Sequence, residues 1–201
     1  RHPQLAGPLV SGPATGGLID SFGRVHRDLR ISLTDKCSLR CTYCMPAEGM
    51  EWQPRSELLT FEEIERVARV LVERCGVEAV RLTGGEPTLR AHLPVLVERL
   101  ATLGTDLAVT TNATTLDHLA PALRSAGLRR VNISLDTLRP DRFVDLTRRD
   151  DLHRVLAGID AAIVAGLTPV KLNVVAMRGV NDDEIVDLAH FGRDRGLGVR
   201  F

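Results

Sequence analysis

From residue 28 onward the chain repeats one unit, a short run of alternating apolar and polar residues followed by a longer run with helical spacing. "DLRISLT" (28–34) precedes "LTFEEIERVARVLVERCG", "EAVRLT" (78–83) precedes "HLPVLVERLATLG", and "DLAVTTN" precedes "TTLDHLAPALRSAG". "RRVNISLD" precedes "DDLHRVLAGIDAAIVAG", "PVKLNVVAM" precedes "NDDEIVDLAHFGRDRG", and "LGVRF" opens one more short run. Alternation marks strands, and apolar residues three and four apart mark helices. Strands that alternate with helices of this length imply right-handed βαβ units and a parallel sheet. The helix signals are specific. Thr60 and Glu63 form a capping box, Gly76 stands at a C-terminal stop, and Ile64, Val67, Ala68 and Leu71 share one face. Leu93, Leu96, Val97 and Leu100 mark the second helix, and Leu152, Val155, Leu156, Ile159 and Ile163 a later one.

The strands also discriminate between α/β architectures. In a flat doubly wound sheet both faces are covered by helices, so strands read as continuous apolar runs. Here Leu29, Ile31 and Leu33 oppose Arg30, Ser32 and Thr34; Val80 and Leu82 oppose Arg81 and Thr83. Val131, Ile133 and Leu135 oppose Asn132, Ser134 and Asp136; Val170, Leu172 and Val174 oppose Lys171 and Asn173. The apolar faces must meet the helices, and the polar faces then converge on a shared interior. The expectation is a partial (βα)6 TIM-like barrel over residues 23–201, broken off in its sixth strand, with a polar lumen. Ordinary barrels fill that space with branched apolar residues. A polar lumen is therefore either a ligand site or a buried ion-pair network in which Glu86 and Asp136 balance Arg30, Arg81 and Lys171.

Composition narrows the setting. Lys plus Arg and Asp plus Glu each number 26, so no global field draws the chain to nucleic acid or an anionic membrane. No apolar run approaches the roughly 20 residues of a membrane span, and no secretory h-region opens the chain. Three of the four cysteines sit in one knot, which is not a secreted disulfide framework and points to a reducing, cytoplasmic setting. Residues 1–22 are rich in Gly and Pro and read as a flexible leader. The chain opens on Arg1 and stops inside a strand pattern, so a fragment of a longer protein is expected.

Cys37, Cys41 and Cys44 in "CSLRCTYC" directly follow the first strand of the repeat, at the strand end where α/β folds place ligands. Clustered thiolates favour soft metals, which leaves iron–sulfur or zinc. Structural zinc wants a fourth ligand. The remaining cysteine, Cys75, lies near a helix end, where a small buried apolar role fits better.

The spacing CxxxCxxC resembles the cluster loop of the radical S-adenosylmethionine (SAM) superfamily. The resemblance implies a 4Fe-4S cluster held by these three cysteines, with the amino and carboxylate groups of SAM on the remaining iron. It also implies reductive cleavage of SAM to a 5′-deoxyadenosyl radical. "TGGEP" (83–87) resembles the segment that holds the SAM amino group, implicating Gly85 and Glu86. Tyr43 and Ser134, with Asn132, resemble residues around the adenine, ribose and carboxylate.

The flanks "RDLRISLTDKCSLRCTYCMP", "RLTGGEPTLR", "VTTNATTL", "LRRVNISLDTL" and "VKLNVVAMRGVND" resemble the GTP 3′,8-cyclases of molybdenum-cofactor biosynthesis, the MoaA family. What this implies is abstraction of H3′ from GTP and closure of a bond from C3′ to C8 of guanine. Arg30, Arg81, Thr110 and Lys171 match that family's GTP contacts, whereas Arg90, Arg129 and Arg130 read as ordinary ion pairs or loop residues. Ser38 stands where Asn is common, and Ala113 where Gly is common. Family members carry a second 4Fe-4S cluster on three further cysteines, which this sequence does not contain. The resemblance also implies a homodimer and a downstream pterin synthase that takes the product.

Overall fold

The computed structural model describes residues 16–201, so the first fifteen residues of the expected leader lie outside the described residues. The rest of that leader is not featureless. Strands β1 (Leu18–Ile19) and β2 (Val25–His26) pair antiparallel. Asp20 makes the turn: its carboxylate accepts from the backbone N–H of Phe22 (2.9 Å) and Arg24 (3.0 Å), and Gly23 takes the positive φ of 77° that closes it.

The main chain then builds β3 (Asp28–Ser32), α1 (Phe61–Cys75), β4 (Ala79–Thr83), α2 (Leu93–Ala101), β5 (Asp106–Thr111), α3 (Leu116–Ser125) and β6 (Arg130–Ser134). It continues through α4 (Pro140–Thr147), α5 (Leu152–Val164), β7 (Lys171–Asn173), α6 (Ile185–Arg195) and β8 (Gly198–Arg200). The sheet order is β3-β4-β5-β6-β7-β8, and every neighbouring pair is parallel. Spatial order thus follows chain order without reversal. A doubly wound sheet reverses at a switch point, whereas a barrel keeps adding strands on the same side. Among the described residues the sheet stays open at β3 and β8, which is the expected partial (βα)6 barrel.

The alternation of the strands becomes an inside and an outside. Val80, Leu82, Leu107, Val109, Val131, Ile133 and Leu172 are at most 2 % exposed and lie in the core with the helices. On the other face Arg30, Ser134 and Arg200 are exposed, and Arg81, Thr83, Thr110, Lys171 and Asn173 are partly so. Because the sheet is open, the polar face is a concave wall rather than a sealed lumen.

The helices follow their signals with one exception. In α1 the capping box is closed, with Glu63 N–H on Thr60 Oγ (3.2 Å) and Thr60 N–H on Glu63 Oε2 (2.7 Å), and Gly76 is left-handed at φ 71°. Leu93, Leu96, Val97 and Leu100 of α2 are buried, as are Leu152, Val155 and Ile159 of α5. Val67, expected on the buried face of α1, is instead 48 % exposed. It falls at the margin of the stripe centred on Ile64, Ala68 and Leu71, and α1 covers an edge strand with a helix on one side only. The second difference is α4, an eight-residue helix in what reads as a connection. Two turns are too short to display a period. Its Phe143, Leu146 and Thr147 are buried. Among the described residues no helix is long and apolar enough to cross a membrane.

Candidate active site

A cavity of about 300 Å³ opens at the C-terminal ends of β3 to β6, and Cys37, Cys41, Cys44, Gly85, Thr110 and Ser134 are on its wall. The ladder between β3 and β4 runs past the strands and holds the cysteine loop there. Leu33 N–H donates to Thr83 O (2.9 Å), Gly85 N–H to Thr34 O (2.6 Å) and Glu86 N–H to Lys36 O (2.7 Å). A Cβ on Gly84 would collide with the Thr34 carbonyl, and one on Gly85 with the carbonyls of Asp35 and Lys36. The two glycines therefore let two chain segments touch; Gly85 still faces the cavity.

The loop closes on itself where the N–H groups of Cys44 and Met45 both donate to Cys41 O at 2.9 Å. The end of α4 grips it from the far side. Arg40 N–H donates to Thr147 O (2.9 Å), Thr42 N–H to Leu146 O (2.8 Å), and Arg148 reaches the carbonyls of Arg40 (2.9 Å) and Met45 (3.1 Å). The helix that the periodicity did not reveal is thus the clamp of the cysteine loop.

Cys37 and Cys41 are partly buried and Cys44 is exposed. Burial pushes the Cys37 thiol up, and burial with the nearby Asp136 charge pushes Cys41 up to about 11. Thiolates in such a place need positive charge beside them, which metal supplies. The three thiols line one cavity, and clustered soft donors suit a soft metal or a cluster. Cys75 ends α1 just before β4 begins, at the opposite end of the sheet, so it is not a fourth ligand.

Glu86 is 1 % exposed, and its carboxylate is fully engaged. Oε1 accepts from Thr88 N–H (3.1 Å), Thr88 Oγ (2.7 Å) and Thr111 Oγ (2.6 Å), and Oε2 from Asn112 N–H (2.7 Å). Burial pushes this carboxyl up while the four donors pull it down. The side chain ties the segment after β4 to the end of β5 and is not a free acceptor. Asp136 is engaged too, accepting from Tyr43 Oη (2.5 Å) and Val175 N–H (2.8 Å). Neither acid balances the cations of the polar face, so the buried ion-pair alternative does not describe this molecule.

Those cations lie below the cavity on the same concave face. Arg30 and Arg81 stand directly opposite each other on β3 and β4, while Thr110, Asn132 and Lys171 form one row across β5, β6 and β7. Arg81 touches exposed Asp28 (3.1 Å), and Arg130 makes a two-point contact with Asp106, the ion pair the sequence suggested for it. Arg90 is likewise structural: it donates to the carbonyls of Leu33 (3.2 Å) and Leu59 (2.7 Å). Lys171 is held below the usual lysine range by desolvation and by the charges of Arg200, Arg130 and Arg81. Arg200, not singled out in the sequence, belongs to this cluster; its place at the last strand end, in register with Asn173, gave it away only once the sheet was formed. Arg81 Nε and Asn132 Oδ1 are shut off from solvent without a hydrogen-bond partner. Closely set cations form a surface that a polyanion would satisfy.

Comparison with known proteins places these features in context. The family model described as the Radical SAM superfamily matches residues 31–192. A GTP 3′,8-cyclase of Corynebacterium glutamicum is 52% identical over 197 residues, covering 94% of this chain and 52% of that protein. The mitochondrial GTP 3′,8-cyclase of Arabidopsis thaliana is 50% identical over 195 residues, covering 96% and 50%. The chain spans about half the length of the curated relatives it matches. Among solved structures, Streptococcus suis SuiB bound to precursor peptide SuiA superposes with a TM-score of 0.71 at 21% identity, over 85% of this chain and 37% of that one, a likeness of fold.

Proposed function

We propose the function of this chain from one premise: it belongs to the radical SAM superfamily, and membership brings a 4Fe-4S cluster and SAM. Within that superfamily we read it as the cluster-bearing part of a GTP 3′,8-cyclase, converting GTP to 3′,8-cyclo-7,8-dihydroguanosine 5′-triphosphate for molybdenum-cofactor biosynthesis. When bound, the cluster and SAM supply a 5′-deoxyadenosyl radical. The residues of the chain hold and orient. Cys37, Cys41 and Cys44 ligate the cluster. Tyr43, Gly85, Glu86 and Ser134 line the SAM position, and the bonded carboxylate of Glu86 holds that wall in place. Arg30, Arg81, Thr110 and Lys171 take the GTP, the arginines gripping phosphate oxygens in pairs and Lys171 acting as a point charge.

One observation carries this reading: Thr110 lines the cavity of the three thiols and, through Asn132, stands in register with Lys171 on the polar face of the sheet that also carries Arg30 and Arg81. A phosphorylated substrate on the cations would lie directly beneath the thiols. In the part of the relatives that this chain does not span we expect the second 4Fe-4S cluster. A homodimer, a pterin synthase acting on the product and a cytoplasmic setting complete the proposal. The test uses the full-length protein, reconstituted anaerobically. SAM should perturb the EPR signal of the reduced cluster, and 5′-deoxyadenosine should accumulate only when GTP is present. A SAM-perturbed cluster without GTP-dependent 5′-deoxyadenosine would refute the cyclase and favour another radical SAM reaction.

A further inference from the structure

Asn112 follows β5 and is 7 % exposed, and each polar atom of its side chain is bonded. Oδ1 accepts from Thr114 N–H (3.1 Å) and Thr114 Oγ (2.8 Å). A backbone N–H can only donate, so the amide orientation is settled: Oδ1 faces Thr114 and Nδ2 faces the cysteine loop. Nδ2 lies 3.0 Å from Ser38 Oγ and 3.6 Å from Cys37 Sγ. Ser38 Oγ and Thr114 Oγ are 2.9 Å apart. The directions in this ring follow by elimination. Thr114 spends its hydroxyl hydrogen on Asn112 Oδ1, so Ser38 donates to Thr114, and Ser38 Oγ accepts one hydrogen of Asn112 Nδ2. The other Nδ2 hydrogen points at Cys37 Sγ. The backbone of Asn112 is itself held by Glu86 Oε2 at 2.7 Å.

We propose that Asn112 is a positioning residue for the cluster, donating an N–H to Cys37 Sγ and thereby raising the cluster's reduction potential. Reduction adds negative charge, part of which resides on the ligand sulfurs. A fixed donor at a sulfur therefore stabilises the reduced state more than the oxidised one, and hydrogen bonds to sulfur are among the determinants of cluster potential. The ring through Ser38 and Thr114 keeps the donor aimed, and Glu86 links that aim to the segment that lines the SAM position. The inference rests on the cluster reading above, and the experiment separates the two.

In the full-length protein, iron and sulfide per chain are counted, and the EPR signal that SAM perturbs is titrated against potential in the absence of SAM. Iron content tests the cluster reading; the potential tests this one. Asn112→Leu, at full iron content, should titrate at a more negative potential than the native protein, and Ser38→Ala, which keeps the donor, should shift it less. An unchanged potential in Asn112→Leu, or an equal shift in Ser38→Ala, would overturn the proposal. If Asn112→Leu assembles no cluster, the native protein decides. With nitrogen-15 in its asparagine side-chain amides, the reduced cluster should show a nitrogen-15 hyperfine coupling, and its absence refutes the contact.

Discussion

The two halves of the concave face are built on opposite plans. At the mouth, around the cysteine loop, polar groups are buried and bonded: Glu86 has four donors, Asn112 closes a ring, and the clamp from α4 takes up loop carbonyls. Lower down, Arg30, Arg81 and Lys171 stand on the polar face with, among the described residues, only Asp28 and Asp106 acting on them. The mouth is finished by the chain itself, while the lower face keeps its charges available. The difference matches the two tasks proposed. A cluster and its SAM need ligands aimed in advance, because misplacement of the reacting groups is costly. A triphosphate brings its own charge and needs only cations that have not been spent elsewhere.

The sharpest way to break the comparison is at the thiols. Cys37→Ser, Cys41→Ser and Cys44→Ser should each abolish retention of this cluster in the full-length protein, read as a fall in iron and visible absorbance to what the second cluster supplies and as loss of the SAM-perturbed EPR signal, while GTP binding by the lower face persists. Next comes the internal scaffold of the mouth. Glu86→Ala orphans buried donors from Thr88, Thr111 and Asn112, and should cost about 3 kcal/mol in chemical denaturation. An effect within ~0.5 kcal/mol would show that the network is not structural. On the lower face, Arg81→Ala or Lys171→Ala should weaken GTP binding about ten- to a hundredfold, as expected for a lost charge-assisted contact of ~1.5–3 kcal/mol, with iron content unchanged. Unchanged GTP affinity in both variants would remove the assigned role.

The smallest effect is a pH dependence. Desolvation and the neighbouring arginines lower the pKa of Lys171, so it loses its proton at a lower pH than an ordinary lysine. As pH rises through that lowered value the charge disappears and GTP affinity should fall. Lys171→Arg should flatten this alkaline decline, because guanidinium stays charged. Calorimetric titration of GTP across the alkaline range reads both.

Much of the fold was legible because its signals are local. The capping box at Thr60 and Glu63, the glycine stop at Gly76 and the stripe Leu93–Leu96–Val97–Leu100 each lie within a few turns of chain, and the structure reproduces them. The failures share a cause. Val67 sits at the margin of its helix face, and its exposure depends on how many neighbours α1 has, which no window of sequence contains. The helix α4 is too short for a period, and the leader hairpin rests on one Asp turn.

The same division runs through the site. The order of residues by itself determined that three thiols follow the first strand of the repeat, and that Arg30, Arg81 and Lys171 alternate away from the apolar core, because strand period and motif spacing are properties of adjacent residues. Only the tertiary structure decided what each polar group touches. It spent the Glu86 carboxylate on Asn112, twenty-six residues away, and aimed the Asn112 amide at Cys37, seventy-five residues away. Both contacts depend on the register of parallel strands joined by helical crossovers. A parallel sheet brings distant segments side by side, so the face of a residue is encoded locally and its partner is not.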